Sequence, residues 1–140
     1  MKKHILPLTY APKIQAVIDG TCTQTIRAGR KFRACDLVMF HGWSGVPYHS
    51  PWSFRTPYWV VNWVWDIEIW PKGIQWDSSL GGKDWAFWKN DALTQIIAEK
   101  DGIIPPTGEE LGRVLLSMHK IPDAGLPAQI IRWDPTAVVE

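Results

Sequence analysis

A run of thirteen residues, 58–70, limits what this chain can fold into more than any other feature. The run is rich in aromatic and β-branched residues, which favour β-strands. Its odd-numbered positions from Trp59 to Ile69 are all apolar, whereas its even-numbered positions turn polar at Asp66 and Glu68. We therefore predict a long strand that buries one face in the core and becomes polar on the other.

The rest of the pattern predicts a mixed α+β chain around this strand. Asp84 and Thr107 are candidate helix N-caps, and Glu110 gives the second of them the capping-box spacing. Segments rich in Gly, Pro and Ser are predicted to be loops. The predicted elements are strands at 6–10, 36–41, 58–70 and 129–133, helices at 13–19, 84–100 and 111–119, and loops at 42–57 and 71–83. This order favours a small mixed barrel or sheet with helices at one end.

Length and composition favour a single domain over residues 1–140, with 46% hydrophobic and 21% charged residues. No apolar run reaches the length of a membrane span, and the N-terminus lacks the apolar region of a signal peptide. We therefore expect a cytoplasmic protein without a membrane partner, in which Cys22 and Cys35 stay reduced. The two cysteines and four histidines show no metal-ligand spacing, so neither a metal nor another cofactor is expected.

Charge is distributed unevenly along a chain whose net charge is only +1. Residues 1–60 carry eight basic and two acidic side chains, whereas residues 61–140 carry seven basic and twelve acidic ones. Such an asymmetry indicates a directed electrostatic field that would attract an anionic ligand. A rim of solvated charged side chains at the protein surface would give the same pattern.

The basic charge is densest in the segment 20–33, just after the predicted end of the first helix at Gly20. Hydroxyl side chains, cations and free backbone N–H groups at such a boundary suit a phosphate or a base edge. The candidate nucleic-acid contacts in this segment are Thr23, Arg27, Arg30, Lys31 and Arg33. Two structural alternatives stay open for Arg27, namely pairing with Asp36 and capping a carbonyl group.

The predicted loop 42–57 is the second candidate for ligand contact. Its aromatic side chains could stack on bases as a lid, or they could fold over the protein itself. The candidates here are Trp43, Tyr48, Trp52 and Arg55. Five other tryptophans are predicted to lie in the core, namely Trp59, Trp63, Trp65, Trp85 and Trp88.

Four motif residues connect this chain to a known family. Gly20, Thr25 and Arg27 match the run G-x-K-x-x-[E or T]-x-R, and Asp36 matches a G-D pair ahead of a strand. Residues 98–103 and 108–111 are similar to a later A-x-x-E-G-[F or M]…E-E-L segment. On these residues the chain resembles the ASCH domain of the PUA-like superfamily. The resemblance implies a PUA-like (ASCH) small β-barrel with flanking helices that binds RNA or a nucleotide.

The resemblance also implies an enzymatic alternative. Some small ASCH proteins hydrolyse acetylated cytidine with the motif lysine, the motif threonine and a late glutamate, which correspond to Cys22, Thr25 and Asp101 here. Cys22 replaces the lysine, and a thiol cannot supply the charge of an ammonium group, although a thiolate can be a nucleophile. Cys35 likewise replaces the glycine ahead of Asp36.

The loss of the lysine favours binding over catalysis as the expected function. A hydrolase for a modified nucleoside and a ribonuclease remain alternatives, and so does a protein-interaction module that uses the Trp-rich loop. At residue level, Cys22 could equally be a small buried residue, and Asp101 could be a turn residue at a helix end.

Overall fold

A computed structural model describes residues 1–44, 46 and 49–139, with the backbone alone at Trp52. This part of the chain forms eight β-strands and three α-helices. The strands are β1 Lys3–Pro7, β2 Gln24–Ala28, β3 Leu37–Trp43, β4 Trp52–Arg55, β5 Tyr58–Trp70, β6 Gly73–Asp77, β7 Lys83–Phe87 and β8 Leu126–Val139. The helices are α1 Ala11–Ile18, α2 Ala92–Lys100 and α3 Gly108–Met118.

The long strand β5 organises the sheet. One edge of β5 pairs antiparallel with β8 along its length, and β8 pairs in turn with β2. The other edge pairs with β3 near the start of β5 and with β6 near its end, while β1 lies parallel to β3. The fold is therefore α+β. Among the described strands the sheet is not closed, so the predicted barrel is not confirmed.

Two apolar clusters cover the sheet. One packs helices α2 and α3 against the second half of β5, and its centre includes Ile69, Leu111 and Ile130. The other packs helix α1 against the first half, where the ring of Trp133 lies 4.7 Å from that of Phe40. Among the described residues, no helix is long and apolar enough to cross a lipid bilayer.

Local signals predicted several elements correctly. The strand at 58–70 is confirmed with the same bounds. Thr107 caps helix α3 as predicted, because its hydroxyl oxygen accepts a hydrogen bond from the Glu110 N–H at 3.1 Å. The opening and closing strands and the first helix also exist, with shifted ends.

The predicted helix at 84–100 is wrong in its first half. Residues Lys83–Phe87 form strand β7, which pairs with β6 inside the predicted loop 71–83. Helix α2 begins only at Ala92, and its N-cap is Asp91 rather than Asp84. Gly73 permits the strand pair, because a Cβ atom there would lie 2.2 Å from the Ala86 carbonyl oxygen. Pairing between strands therefore outweighed the helical spacing of the aromatic residues.

Three other predictions are corrected. The segment after Gly20 is not a boundary loop, since it becomes strand β2 within the sheet. The predicted loop 42–57 contains the end of β3 and the whole of β4. Trp63 is not a core residue, because a register shift between Val61 and Trp63 leaves it 37% exposed.

Candidate functional site

A pocket of about 130 Å³ lies between the β1–α1 connection, strand β2, the end of α2 and helix α3. Its apolar wall comes from α3 and includes Leu111, Val114 and Leu115. The polar side chains that line it are Thr9, Tyr10, Lys13, Thr25, Arg27, Asp101 and His119. Half of this pocket is therefore apolar and half carries groups able to hydrogen-bond or to react.

A buried ion pair forms part of the polar half. The Lys13 ammonium lies 3.1 Å from the Asp101 carboxylate, and the two residues are 4% and 5% exposed. Burial raises the pKa of Asp101, while the charge and hydrogen bond of Lys13 and a hydrogen bond from Gln24 oppose that rise. Burial is the larger effect, so the pKa of Asp101 stays above its ordinary value despite these neighbours.

Helix boundaries place these two groups. Asp101 is the C-cap of α2, and Gly102 follows in the left-handed region at φ 74°, as is common after a helix. A Cβ atom on Gly102 would lie 3.3 Å from Cys22 Sγ and 3.4 Å from Lys13 Cγ. The end of α2 therefore packs closely against both side chains.

A buried amide connects this ion pair to the sheet. Gln24 is 1% exposed, and its Nε2 group donates to the Ile97 carbonyl at 3.2 Å and to Asp101 Oδ1 at 3.4 Å. Its Oε1 atom accepts a hydrogen bond from Arg132 Nε at 3.0 Å. The guanidinium of Arg132 lies over the Trp63 ring at 4.3 Å. Arg132 thereby fixes the orientation of the Gln24 amide toward Asp101.

Thr25 follows Gln24 on β2, is 3% exposed and lines the same pocket as Lys13 and Asp101. The structure thus brings together two of the three predicted catalytic residues, Thr25 and Asp101. It adds Lys13, which the sequence pattern placed only in a helix.

The third predicted catalytic residue, Cys22, is not among the residues that line the pocket. Its Sγ atom lies 3.5 Å from the carbonyl oxygens of both Gln24 and Lys100. Burial raises the pKa of this thiol, which disfavours the thiolate. The contacts fit the alternative of a small buried residue.

The predicted basic contacts divide between different surfaces. Arg27 lines the pocket, donates from Nη2 to the Pro7 carbonyl at 2.8 Å and lies over the Phe40 ring at 5.8 Å. Arg27 therefore caps a backbone carbonyl group, which is one of the two structural alternatives predicted for it. Arg30 and Lys31 are exposed and line a separate groove beside β8. Arg33 is exposed and Thr23 half-buried.

Of the predicted aromatic contacts, Trp43 lies next to the pocket rather than over it. Trp43 lines a second pocket, in which it is joined by Phe54. Arg55 is exposed on β4. Tyr48 and the side chain of Trp52 lie outside the described residues.

Asp36, the last motif residue, is buried and holds the chain at the start of β3. It accepts hydrogen bonds from the backbone N–H groups of Lys2 and Arg33 at 3.0 Å and lies 3.0 Å from His4 Nε2. Burial would raise the pKa of Asp36, but these hydrogen bonds outweigh it and lower the pKa. Cys35 precedes it at φ 74°, a conformation that favours glycine. Asp36 therefore stabilises the fold at the start of β3 rather than lining the pocket.

Two groups at the rim complete the pocket. The Tyr10 hydroxyl donates to the Ile104 carbonyl at 3.3 Å and accepts from its N–H at 3.2 Å. His119 follows α3, where burial and the charge of Arg27 lower its pKa and favour the neutral imidazole. Within the described ranges, no group of three or more His, Cys, Asp or Glu residues could hold a metal ion.

Comparison with known proteins assigns no family to this arrangement. No family model matches the chain. No curated protein and no solved structure matches it.

Lys13 is the functional candidate that the sequence did not reveal, although one signal was available. It lies four residues before the buried Val17 and therefore on the same face of helix α1. A lysine on a buried helix face needs a partner, because lysine is almost never fully buried unless it is paired. The partner, Asp101, lies too far along the chain to be identified from local spacing.

Proposed function

We propose that this protein is a PUA-like, ASCH-type hydrolase that removes the acyl group from a modified nucleoside such as acetylcytidine. The observation that carries the proposal is the buried Lys13–Asp101 ion pair on the pocket that Thr25 also lines. The resemblance implies a lysine, a threonine and an acid for this reaction. Lys13 supplies the ammonium group that Cys22 cannot.

The size of the pocket supports a ring-shaped group. Its volume of about 130 Å³ is close to the roughly 150 Å³ of a cavity known to hold benzene. A pyrimidine ring has similar dimensions, and the wall from Leu111, Val114 and Leu115 offers it an apolar face. The sugar of a nucleoside would then extend out of the pocket.

The residues allow a balanced two-step reaction. The Thr25 hydroxyl oxygen attacks the acyl carbonyl carbon as its proton passes to the Asp101 carboxylate. The C–N bond breaks, the amine leaves with that proton, and water then hydrolyses the threonine ester to release the acid and restore the hydroxyl. The Lys13 ammonium would stabilise the negative oxygen of the intermediate, and the raised pKa of Asp101 would make it a better base.

Release of cytidine from N4-acetylcytidine tests the proposal directly. We expect turnover by the unaltered protein and loss of at least about 100-fold in kcat for Thr25→Val, which keeps the shape but removes the nucleophile. Thr25→Ser keeps a hydroxyl and should retain activity. Thr21→Ala is a matched control, because Thr21 is exposed in the same segment and its hydroxyl donates to the Ala16 carbonyl, away from the pocket lining.

Two results would contradict this function. One is the absence of turnover by a protein whose folding is verified by circular dichroism. The other is activity that survives Thr25→Val, which would show that another group carries the reaction.

Nucleic-acid binding by the basic segment is a second candidate function. Arg30, Lys31 and Arg33 are exposed in the connection between β2 and β3, and the first two line a groove of about 450 Å³. Exposed cations beside a groove suit the backbone of RNA. This candidate is compatible with the hydrolase, since a modified base can belong to an RNA chain.

A further inference from the structure

A second pocket adjoins the proposed catalytic pocket. It has a volume of about 180 Å³ and lies between the β1–α1 connection and the hairpin of β3 and β4. Leu8 and Thr9 line both pockets, so they form a wall that the two pockets share. Leu8 is buried and Thr9 is exposed. A ligand that fills the first pocket and extends outward can therefore pass over Thr9 into the second.

The second pocket has an aromatic side that the sheet holds in place. Gly42 on β3 pairs with Phe54 on β4. A Cβ atom on Gly42 would lie 2.4 Å from Phe54 Cε1, so the Phe54 ring rests against the backbone of β3. Trp43 is half-buried, and its ring meets the ring of His41 edge-on at 4.7 Å and 84°. Both rings line the pocket, and together they offer it an aromatic surface that suits stacking with a base.

We propose that this second pocket binds the base next to the acylated nucleoside, so that the substrate is a nucleoside within a single-stranded nucleic acid. The inference rests on the proposed function, because it extends the ligand of the first pocket. The first pocket has room for one ring, which leaves the sugar outside it and directed toward the shared wall. A flanking base in the second pocket then stacks on Trp43 and Phe54, as bases do on aromatic side chains in single-strand binders.

Exposed serine and threonine side chains at the boundary suit this path. Thr9 on the shared wall and Ser53 beside Phe54 offer hydroxyl groups to the sugar and phosphate between the two bases. The two aromatic rings and the hydroxyl groups therefore favour a nucleic acid.

The test compares the affinities of two ligands that carry the same acetylated base. One is free N4-acetylcytidine, and the other is a labelled uridine pentamer with a single central N4-acetylcytidine. We expect the pentamer to bind at least tenfold more tightly than the nucleoside. Trp43→Leu and Phe54→Leu should each weaken pentamer binding about five- to 150-fold, the range of one stacked base. Nucleoside binding should change less than twofold in both variants, which also shows that the variants fold.

Two further variants sharpen the result. Trp43→Phe keeps a ring and should retain most of the affinity for the pentamer. Phe87→Leu removes an exposed aromatic ring that lines neither pocket, and it should leave pentamer binding unchanged.

The outcomes separate this inference from the proposed function. If the nucleoside is hydrolysed but the pentamer gains no affinity, or Trp43→Leu has no effect on pentamer binding, the second pocket is not a nucleotide site and the hydrolase stands. If neither ligand is bound or hydrolysed by the folded protein, both proposals are overturned.

Discussion

Lys13 and Asp101 form an ion pair that is costly for a protein to keep. Removing two charges from water costs several kcal/mol per ion, and their mutual attraction offsets this only with good geometry and further hydrogen bonds. Gln24 supplies one such bond to Asp101, and the ion pair measures 3.1 Å. An apolar pair of similar volume would often be as stable. A charged pair beside a pocket therefore points to a use in that pocket rather than to stability.

The first prediction concerns this residue pair. Lys13→Met should lower the free energy of unfolding by about 3–5 kcal/mol at neutral pH, because it leaves Asp101 buried without its partner. The double variant Lys13→Met with Asp101→Leu should recover most of that loss, since no unpaired charge remains. Urea unfolding of the two variants measures both values. Lys89→Met, at an exposed lysine, is the control and should change stability by less than about 0.5 kcal/mol.

The pH dependence of the same variant has a definite sign. Burial raises the pKa of Asp101 in the folded state, so the folded state holds the proton more tightly than the unfolded state. In Lys13→Met the main opposing charge is gone, and the pKa must rise further. The loss of stability should therefore be greatest at neutral pH and shrink as the pH falls toward the raised pKa, where Asp101 becomes neutral. A loss that grows on acidification would contradict the assignment of Asp101 as the unpaired charge.

Helix α3 forms one wall of the proposed catalytic pocket, and its position depends on a close contact. Gly112 on α3 faces the ring of Trp88, which follows β7, and a Cβ atom at Gly112 would lie 2.5 Å from Trp88 Cγ. Gly108 is similarly close to Thr94 and to the backbone of Trp88. The two glycines let α3 approach Trp88 and α2, which brings Leu111 and Leu115 to the pocket.

The second prediction sets helix propensity against packing at this contact. Gly112→Ala would stabilise an isolated helix by about 1 kcal/mol. In this protein the added methyl group meets the Trp88 ring, and overpacking of this kind costs roughly 1–3 kcal/mol. We expect a net loss of stability in thermal or urea unfolding, together with weaker ligand binding as α3 shifts. Gln95→Ala, an exposed change on α2, should have an effect within about 0.5 kcal/mol. A Gly112→Ala variant more stable than the original would show that α3 does not depend on this contact.

Elements with strong local signals were predictable from sequence, and those that depend on pairing were not. The strand 58–70 and the cap at Thr107 need only neighbouring residues to be identified. Strand β7 has aromatic residues that suit a helix as well as a strand, and pairing with β6 decides between them. The residues of the candidate site also differ in how far the sequence alone could identify them. The motif identified Thr25 and Asp101, whereas Lys13 becomes a candidate only when the fold brings α1 to the end of α2.

At the scale of the whole molecule, the basic first part of the chain presents several cations on a surface near the sheet edge. Arg30, Lys31 and Arg33 are exposed in the connection after β2, and the groove that the first two line also contains Asp66 and residues near the start of β8. Arg27, by contrast, lines the proposed catalytic pocket and donates a hydrogen bond to the Pro7 carbonyl. The exposed cations, rather than Arg27, are therefore expected to give any contact with nucleic acid its dependence on salt.

The third prediction measures that dependence. The slope of log affinity against log salt concentration is about −0.7 for each phosphate that a cation neutralises on a single strand. Replacing Arg30, Lys31 and Arg33 together with Gln should therefore make the slope less steep by about 2 and weaken binding of a labelled single-stranded RNA at 50 mM salt. The matched control replaces the exposed Lys89, Lys100 and Lys120 with Gln, which changes the net charge equally but leaves the groove intact. If both triple variants lose the same affinity, only net charge matters and the groove has no specific role. If the slope of the first variant equals that of the unaltered protein, its three cations do not contact phosphates, and RNA must be held by the two pockets alone.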